Sequence, residues 1–228
     1  MKTNRIYHIA TLVLAGSLAA CSSDSPAAVS LPATMSLSAG DAQSAIVGTA
    51  VAPISVVVKQ GDGTPVVNDL VRWTIVSGGG SLSADSAYTD ANGVASVTWT
   101  LGTVSGTDSL EATLNGTSLN VTVTATANPG AVVALMKVSG DAQVVADGSP
   151  APQPLVVKAV DQYGNGVVGV AITWNTGTSA QLTATSSVTG ADGTATDTFV
   201  PEVGAVFEVD AMLATNSAVE VAFSETGQ

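Results

Sequence analysis

Thr89-Asp90-Ala91-Asn92-Gly93-Val94-Ala95-Ser96-Val97-Thr98-Trp99 is the stretch that decides the fold of this chain. Asn92-Gly93 supplies the positive-φ residues that a tight hairpin turn requires. From there Ala95, Val97, Trp99 and Leu101 alternate with Val94, Ser96, Thr98 and Thr100. Successive side chains of a strand point to opposite faces, so the larger apolar ones fall on one face. The stretch returns as Thr189 to Phe199 (TGADGTATDTF), with Asp192-Gly193 in the turn.

The surrounding sequence repeats with it. Gly40-Asp41-Ala42-Gln43 recurs as Gly140-Asp141-Ala142-Gln143, and Val57-Val58-Lys59 as Val156-Val157-Lys158. DGTPVVNDLVRW, ending at Trp73, aligns with YGNGVVGVAITW, ending at Trp174. A period of about one hundred residues is the size of an independent sandwich domain, not of a solenoid repeat. Within the first copy, Ile54 to Lys59, Leu70 to Val76, Val94 to Leu101 and Leu119 to Ala125 are runs rich in Val, Ile, Thr and Trp. Gly, Asn, Asp and Pro clusters separate them. No stretch carries helical periodicity with caps. The expected fold is all-β: two tandem antiparallel β-sandwiches, over 34–127 and 128–228. Trp73 and Trp174 fall mid-strand, where a large aromatic fills the space between sheets, and Trp99 and Phe199 close the aligned turn-strand units.

Composition narrows the function. Aromatic residues make up 4% and charged residues 11% of a chain that is 46% hydrophobic, which argues against disorder. The net charge is −12, and all 18 acidic residues lie after position 20. Beyond that point only Lys59, Arg72, Lys137 and Lys158 are basic, so a nucleic-acid partner has no basic footprint to bind. The single His, His8, and the single Cys, Cys21, exclude an intramolecular disulfide, a Ser–His or Cys–His mechanism and a His- or Cys-ligated zinc site.

The first 20 residues read as an address. Lys2 and Arg5 form a positive n-region, and Ile9 to Gly16 is an apolar run too short for a bilayer, which takes about 20 residues. Leu18-Ala19-Ala20-Cys21 resembles the lipobox of bacterial lipoproteins. That resemblance implies cleavage before Cys21, acylation of its thiol and amine, and, with Ser22 next, delivery to the outer membrane. The partner it implies is the membrane, through the lipid. Residues 21–33 then read as a lipidated Cys and a polar, Pro-punctuated tether.

Asp161-Gln162-Tyr163-Gly164-Asn165-Gly166-Val167, the stretch Thr89 to Ala95 and the Gly-rich turn Ser77 to Gly80 together resemble the bacterial immunoglobulin-like domains of the invasin and intimin type. The resemblance covers residues 33 to 225. It implies extracellular scaffolds and adhesin stalks with no cofactor. The first copy departs from it with Gln60-Gly61-Asp62-Gly63-Thr64-Pro65, and the second with Gly190 in place of Asp.

Neither a catalytic set nor a metal site is expected. Asp62, Asp90 and Asp192 lie in turns beside Gly, where Asp serves turn chemistry. Asp90 and Asn92 carry only part of a calcium-loop spacing, and the linker Thr126 to Gly130 holds no carboxylate. Asn92, Gly93, Asp192, Gly193, Gly164 and Asn165 are therefore read as structural turn residues. In a sandwich entered at its N-terminal end, Tyr163 to Gly166 and Gly190 to Gly193 face the junction between domains. The outward end then carries Asp141 to Pro154, Thr176 to Gln181, Pro201 to Ala205 and the C-terminus. Asp141, Asp147, Thr178 and Glu202 mark it as the expected binding tip. The function expected is a non-enzymatic surface lipoprotein, structural or adhesive, with a protein or glycan ligand left open. Two alternatives stand beside it: a carbohydrate- or envelope-binding accessory protein, and an assembly subunit that pairs through an edge strand.

Overall fold

Alternating Val, Ala and Thr cannot bury a face alone, and the chain resolves this by stacking two sheets per repeat. The computed structural model describes residues 32–177, 180–202 and 204–228. The leader, Cys21, the tether up to residue 31, and Thr178 lie outside the described residues. The first repeat runs β1 (Pro32–Ala39), β2 (Gln43–Ile46), β3 (Ile54–Gln60), β4 (Leu70–Ser77), β5 (Ser81–Leu82), β6 (Ser86–Tyr88), β7 (Val94–Val97), β8 (Trp99–Thr100), β9 (Gly106–Leu114) and β10 (Asn120–Asn128). The second runs β11 (Ala134–Ser139), β12 (Val144–Val145), β13 (Leu155–Val160), β14 (Ala171–Asn175), β15 (Ala180–Leu182), β16 (Ser186–Val188), β17 (Thr194–Asp197), β18 (Phe199–Pro201), β19 (Val206–Leu213) and β20 (Asn216–Gly227).

Both repeats build the same sandwich. A three-stranded sheet, β1-β3-β7, faces a five-stranded sheet, β2-β10-β9-β4-β6, with β5-β8 as a short ribbon. The second copy is β11-β13-β17 against β12-β20-β19-β14-β16, with β15-β18. Each sandwich encloses its own core, and the two cores share no residue. Ala95, Val97, Trp99 and Leu101 are all buried, as their alternation requires.

Two features differ from the sequence expectation. The turn Thr89 to Val94 is not a hairpin: it joins β6 to β7, which lie in different sheets. The Asp90 carboxylate accepts the Asn92 and Val94 amides at 2.8 and 2.9 Å, and only Gly93 has positive φ, at 74°. The same local chemistry serves a hairpin or a crossover, so pairing alone separates them. The sandwiches are also not wholly antiparallel, since β2 runs parallel to β10 and β12 to β20. The cause is the repeated Gly-Asp-Ala-Gln corner, where Gly40 and Ala42 (φ 95° and 51°) turn the first strand from one sheet to the other. A Cβ on Gly40 would come within 2.8 Å of the Ile54 backbone, so the corner needs glycine for space as well as for φ. The Gln43 amide clips it, donating to Gly40 O and Ala52 O and accepting from Ala52 N. Gln143 repeats all three bonds.

Trp73 and Trp174 are buried at equivalent positions, but only one indole is satisfied. Trp174 Nε1 donates to Ser187 Oγ at 2.8 Å, whereas Trp73 Nε1 has no partner. The register explains it: Ser187 opposes Ile172 as Ala87 opposes Val71. Ala87→Ser is expected to raise the first sandwich's unfolding free energy by about 1 kcal/mol, measurable by denaturant titration. No change would mean that the hydroxyl cannot reach the indole.

Candidate functional site at the junction and the distal end

The junction is built by the turn after β13. Asp161 ends that strand nearly buried and gathers the turn around its carboxylate. Oδ1 accepts the Tyr163 and Asn165 backbone amides, both at 2.9 Å. Oδ2 accepts Asn165 Nδ2 and, from the linker, Gly130 N, each at 2.9 Å. Burial pushes the Asp161 carboxyl up, but the hydrogen bonds from Asn165, Gly130 and Tyr163 together outweigh it and hold it below the ordinary carboxylate value.

Held this way, Asn165 reaches across to the first sandwich. Its Nδ2 donates to Thr103 O and its Oδ1 accepts from Ser105 N, both at 2.9 Å. The Tyr163 hydroxyl lies against Gly48, where a Cβ would sit 3.2 Å from it. A carboxylate is thus present at the junction, supplied by the motif turn and not by the linker. Backbone and side-chain amides occupy its oxygens, so it acts as a hydrogen-bond hub. Gly193 packs on Gly166 behind this turn, so the two motif turns support each other. The first copy's turn makes no such hub: Asp62 bonds within its own turn, to Thr64, in the open.

The opposite end of the second sandwich gathers the segments expected at the tip. Asp147 N donates to Gln228 O and Gly148 N to Pro201 O, which brings the 140–154 segment, the β18–β19 turn and the C-terminal residue together. Glu202 accepts from Gln181 Nε2. Asp141 accepts from Ser224 N and pairs with Lys137, the ion pair that holds its carboxyl low. Asn175, Thr176 and Gln181 border a shallow hollow beside Trp174. Asp192 is held low by the Thr194 hydroxyl and amide and Asp90 by the Val94 and Asn92 amides, as turn residues. Among the described residues no group of three or more His, Cys, Asp or Glu side chains is placed to hold a metal ion. A carbohydrate-binding face would need exposed aromatics side by side, and the exposed Tyr88 and Tyr163 are apart: Tyr163 belongs to the junction and Tyr88 to the β6 edge.

Besides Asp161, three carboxyls are buried among the described residues, each with one oxygen lacking a partner: Asp108, Asp197 and Glu225. Burial raises all three, Glu225 to about 7. Sequence reading passed over them. A signal was available for Glu225, since Val219, Val221 and Phe223 share its strand parity and place it on the inward face.

Topology, paired cores and an end-to-end joint made by a motif turn define tandem immunoglobulin-like sandwiches. Residues 34–127 and 136–224 each match the model of the bacterial Ig-like domain (group 1), and the chain belongs to that family. Among solved structures it is similar to Yersinia pseudotuberculosis InvD, 20% identical over 86% of this chain and 57% of that one, with a TM-score of 0.57. The Escherichia coli adhesin FdeC is 17% identical over 85% and 64% of the two chains, TM-score 0.47. The D0-D1 domain of intimin is 20% identical over 85% and 95%, TM-score 0.35. The InvD likeness bears on fold, and the chain spans just over half of InvD's length. No curated protein matches the chain in sequence.

Proposed function

We propose that this chain is an exported lipoprotein, held in the outer membrane through Cys21, whose two sandwiches form a non-enzymatic display module of adhesive type. The joint carries the reading. A turn that bonds to both the linker and the preceding sandwich makes a spacer with a set direction. The chain enters at the Gln60–Pro65 end of the first sandwich, and the distal end of the second lies farthest along it. Acidic and polar side chains at that end, Asp147, Glu202 and Gln181 among them, are the surface offered to a protein or glycan.

Cys21→Ser is expected to leave a precursor about 2 kDa larger that alkali releases from membranes. Normal processing with retention in detergent would refute the anchor. For the display role, cells carrying the chain are scored for adhesion to arrays of glycans and matrix proteins. Replacing 141–154, 176–181 and 201–205 should abolish adhesion, and altering Asp192 should not. Adhesion surviving all three replacements would place the binding face elsewhere.

One observation favours the assembly reading as a second. β1 is an edge strand without a single charge (PATMSLSA), the kind of edge that accepts a further strand. Light scattering of the soluble chain with and without Ser36→Lys distinguishes the two readings.

A further inference from the structure

Glu225 stands on β20 where the first sandwich has Ala125 on β10: Glu225 opposes Phe207, two residues beyond the Phe223–Val209 pair, as Ala125 opposes Asp108 beyond Val123–Leu110. No part of the Glu225 side chain reaches solvent. Oε2 accepts the Gln143 amide at 2.7 Å, and Oε1 has no partner. Phe207, opposite on β19, packs edge-on against Phe199, so that side offers no donor. Two charged groups face the carboxyl. Asp141 repels it, and the Lys137 ammonium is engaged with Asp141 and Ala222 O and lies 5.6 Å from the centre of the Phe223 ring.

Gln143 belongs to the corner that turns β11 into β12. In the first sandwich the equivalent strand β2 is four residues long and pairs with β10 from Gln43 to Ile46. In the second, β12 pairs with β20 at Val144 and Val145, and Gln143 O, Val145 O and Asp147 N bond to Thr226 N, Gln228 N and Gln228 O on either side. The two corners are thus tied to their neighbour strands alike, and the buried acid beneath the second is what sets it apart.

We propose that Glu225 is a proton-gated latch for the distal corner of the second sandwich. Protonated, it stays buried and accepts the Gln143 amide, and the corner closes on β20. Ionised, it has a partnerless oxygen in an apolar site beside the Asp141 carboxylate, and burying such a charge is unfavourable. Water reaches it when Asp141 to Val145 lifts from β20. Burial is the main cause that raises this carboxyl to about 7, with the Asp141 charge adding to it, so the change falls near neutral pH. The direction follows from linkage. The folded form binds the proton more tightly than the ordinary value of 4.5, so the closed corner is favoured at low pH and weakens as pH rises through about 7. Asp147, whose amide bonds to Gln228 O, rides on the same segment, and the shape of the distal end changes with it.

Amide exchange in the full chain tests this. Corrected for intrinsic rates, exchange at Gln143 and Asp147, whose amides bond to Glu225 Oε2 and Gln228 O, should quicken roughly tenfold or more between about pH 5.5 and about pH 8. Val47, whose amide bonds to Asn128 O at the first corner, should hold steady. Glu225→Gln keeps the shape and the acceptor of the protonated acid and should keep the corner closed throughout. Equal responses at both corners, or a response that survives Glu225→Gln, would overturn the latch. Carbon-13 titration of the Glu225 carboxyl in the unsubstituted chain gives an answer even if the variant misfolds. A midpoint that tracks the exchange supports the latch, and one below about pH 5 overturns it.

Discussion

Trp174→Ala should unfold the second sandwich and leave the first standing, and Trp73→Ala should do the reverse. Each indole is almost wholly buried at the centre of its own core, Trp174 with its ring centroid 6.2 Å from that of Phe223. Removing a buried Trp costs about 3–5 kcal/mol, a large part of the stability of a domain this size. The damage should stay local because the cores have no residue in common and the junction is made largely of hydrogen bonds around Asp161 and Asn165. Trp174→Ala also orphans the Ser187 hydroxyl, whereas Trp73→Ala removes a donor that was already unpaired. Trp174→Ala should therefore be the more severe of the two. Calorimetry should show one transition shifted and the other unmoved. A single transition displaced by either substitution would mean that the sandwiches unfold as one.

Asp161→Ala is expected to loosen the joint as well as destabilise the second sandwich. It removes the acceptor shared by the amides of Gly130, Tyr163 and Asn165 and by the Asn165 side chain. Leaving partly buried donors unpaired costs on the order of 3 kcal/mol in total. The freed Asn165 side chain should also lose its register with Thr103 and Ser105. NMR relaxation should then report two sandwiches tumbling with separate correlation times, where the unsubstituted chain gives one. The joint should respond to acid in the same sense. Because the folded-state carboxyl lies below the ordinary value of 3.8, its contribution is complete above that pH and is lost as pH falls through the lowered value. Asp161→Asn should lack that acid response. A variant that tumbles as one body would show that Tyr163 packing on Gly48, and not the carboxylate, sets the joint.

The repeat, the alternation from Val94 to Leu101 and the mid-strand tryptophans were enough to define two all-β sandwiches and their cores. These are local signals: a period-two pattern specifies a buried face whichever strand it later pairs with. Other features belong to the tertiary structure alone. Asn92-Gly93 makes the same hydrogen bonds in a hairpin and in a crossover, so only the packing of β6 and β7 in separate sheets could show which one it serves. The Gly-Asp-Ala-Gln repeat was visible as identity, but its parallel β2–β10 pairing depends on a strand about eighty residues away. Asp161 and Asn165 stood out as a motif, yet their partners Gly130, Thr103 and Ser105 are distant in sequence and contribute backbone groups, which every residue carries and no pattern marks. Glu225 shares the inward parity of Val221 and Phe223, but parity does not show what surrounds it. Its site arises only where Phe207, Gln143 and Asp141 converge on it and exclude water, because the charge state of a carboxyl depends on how its surroundings solvate it and not on its neighbours along the chain.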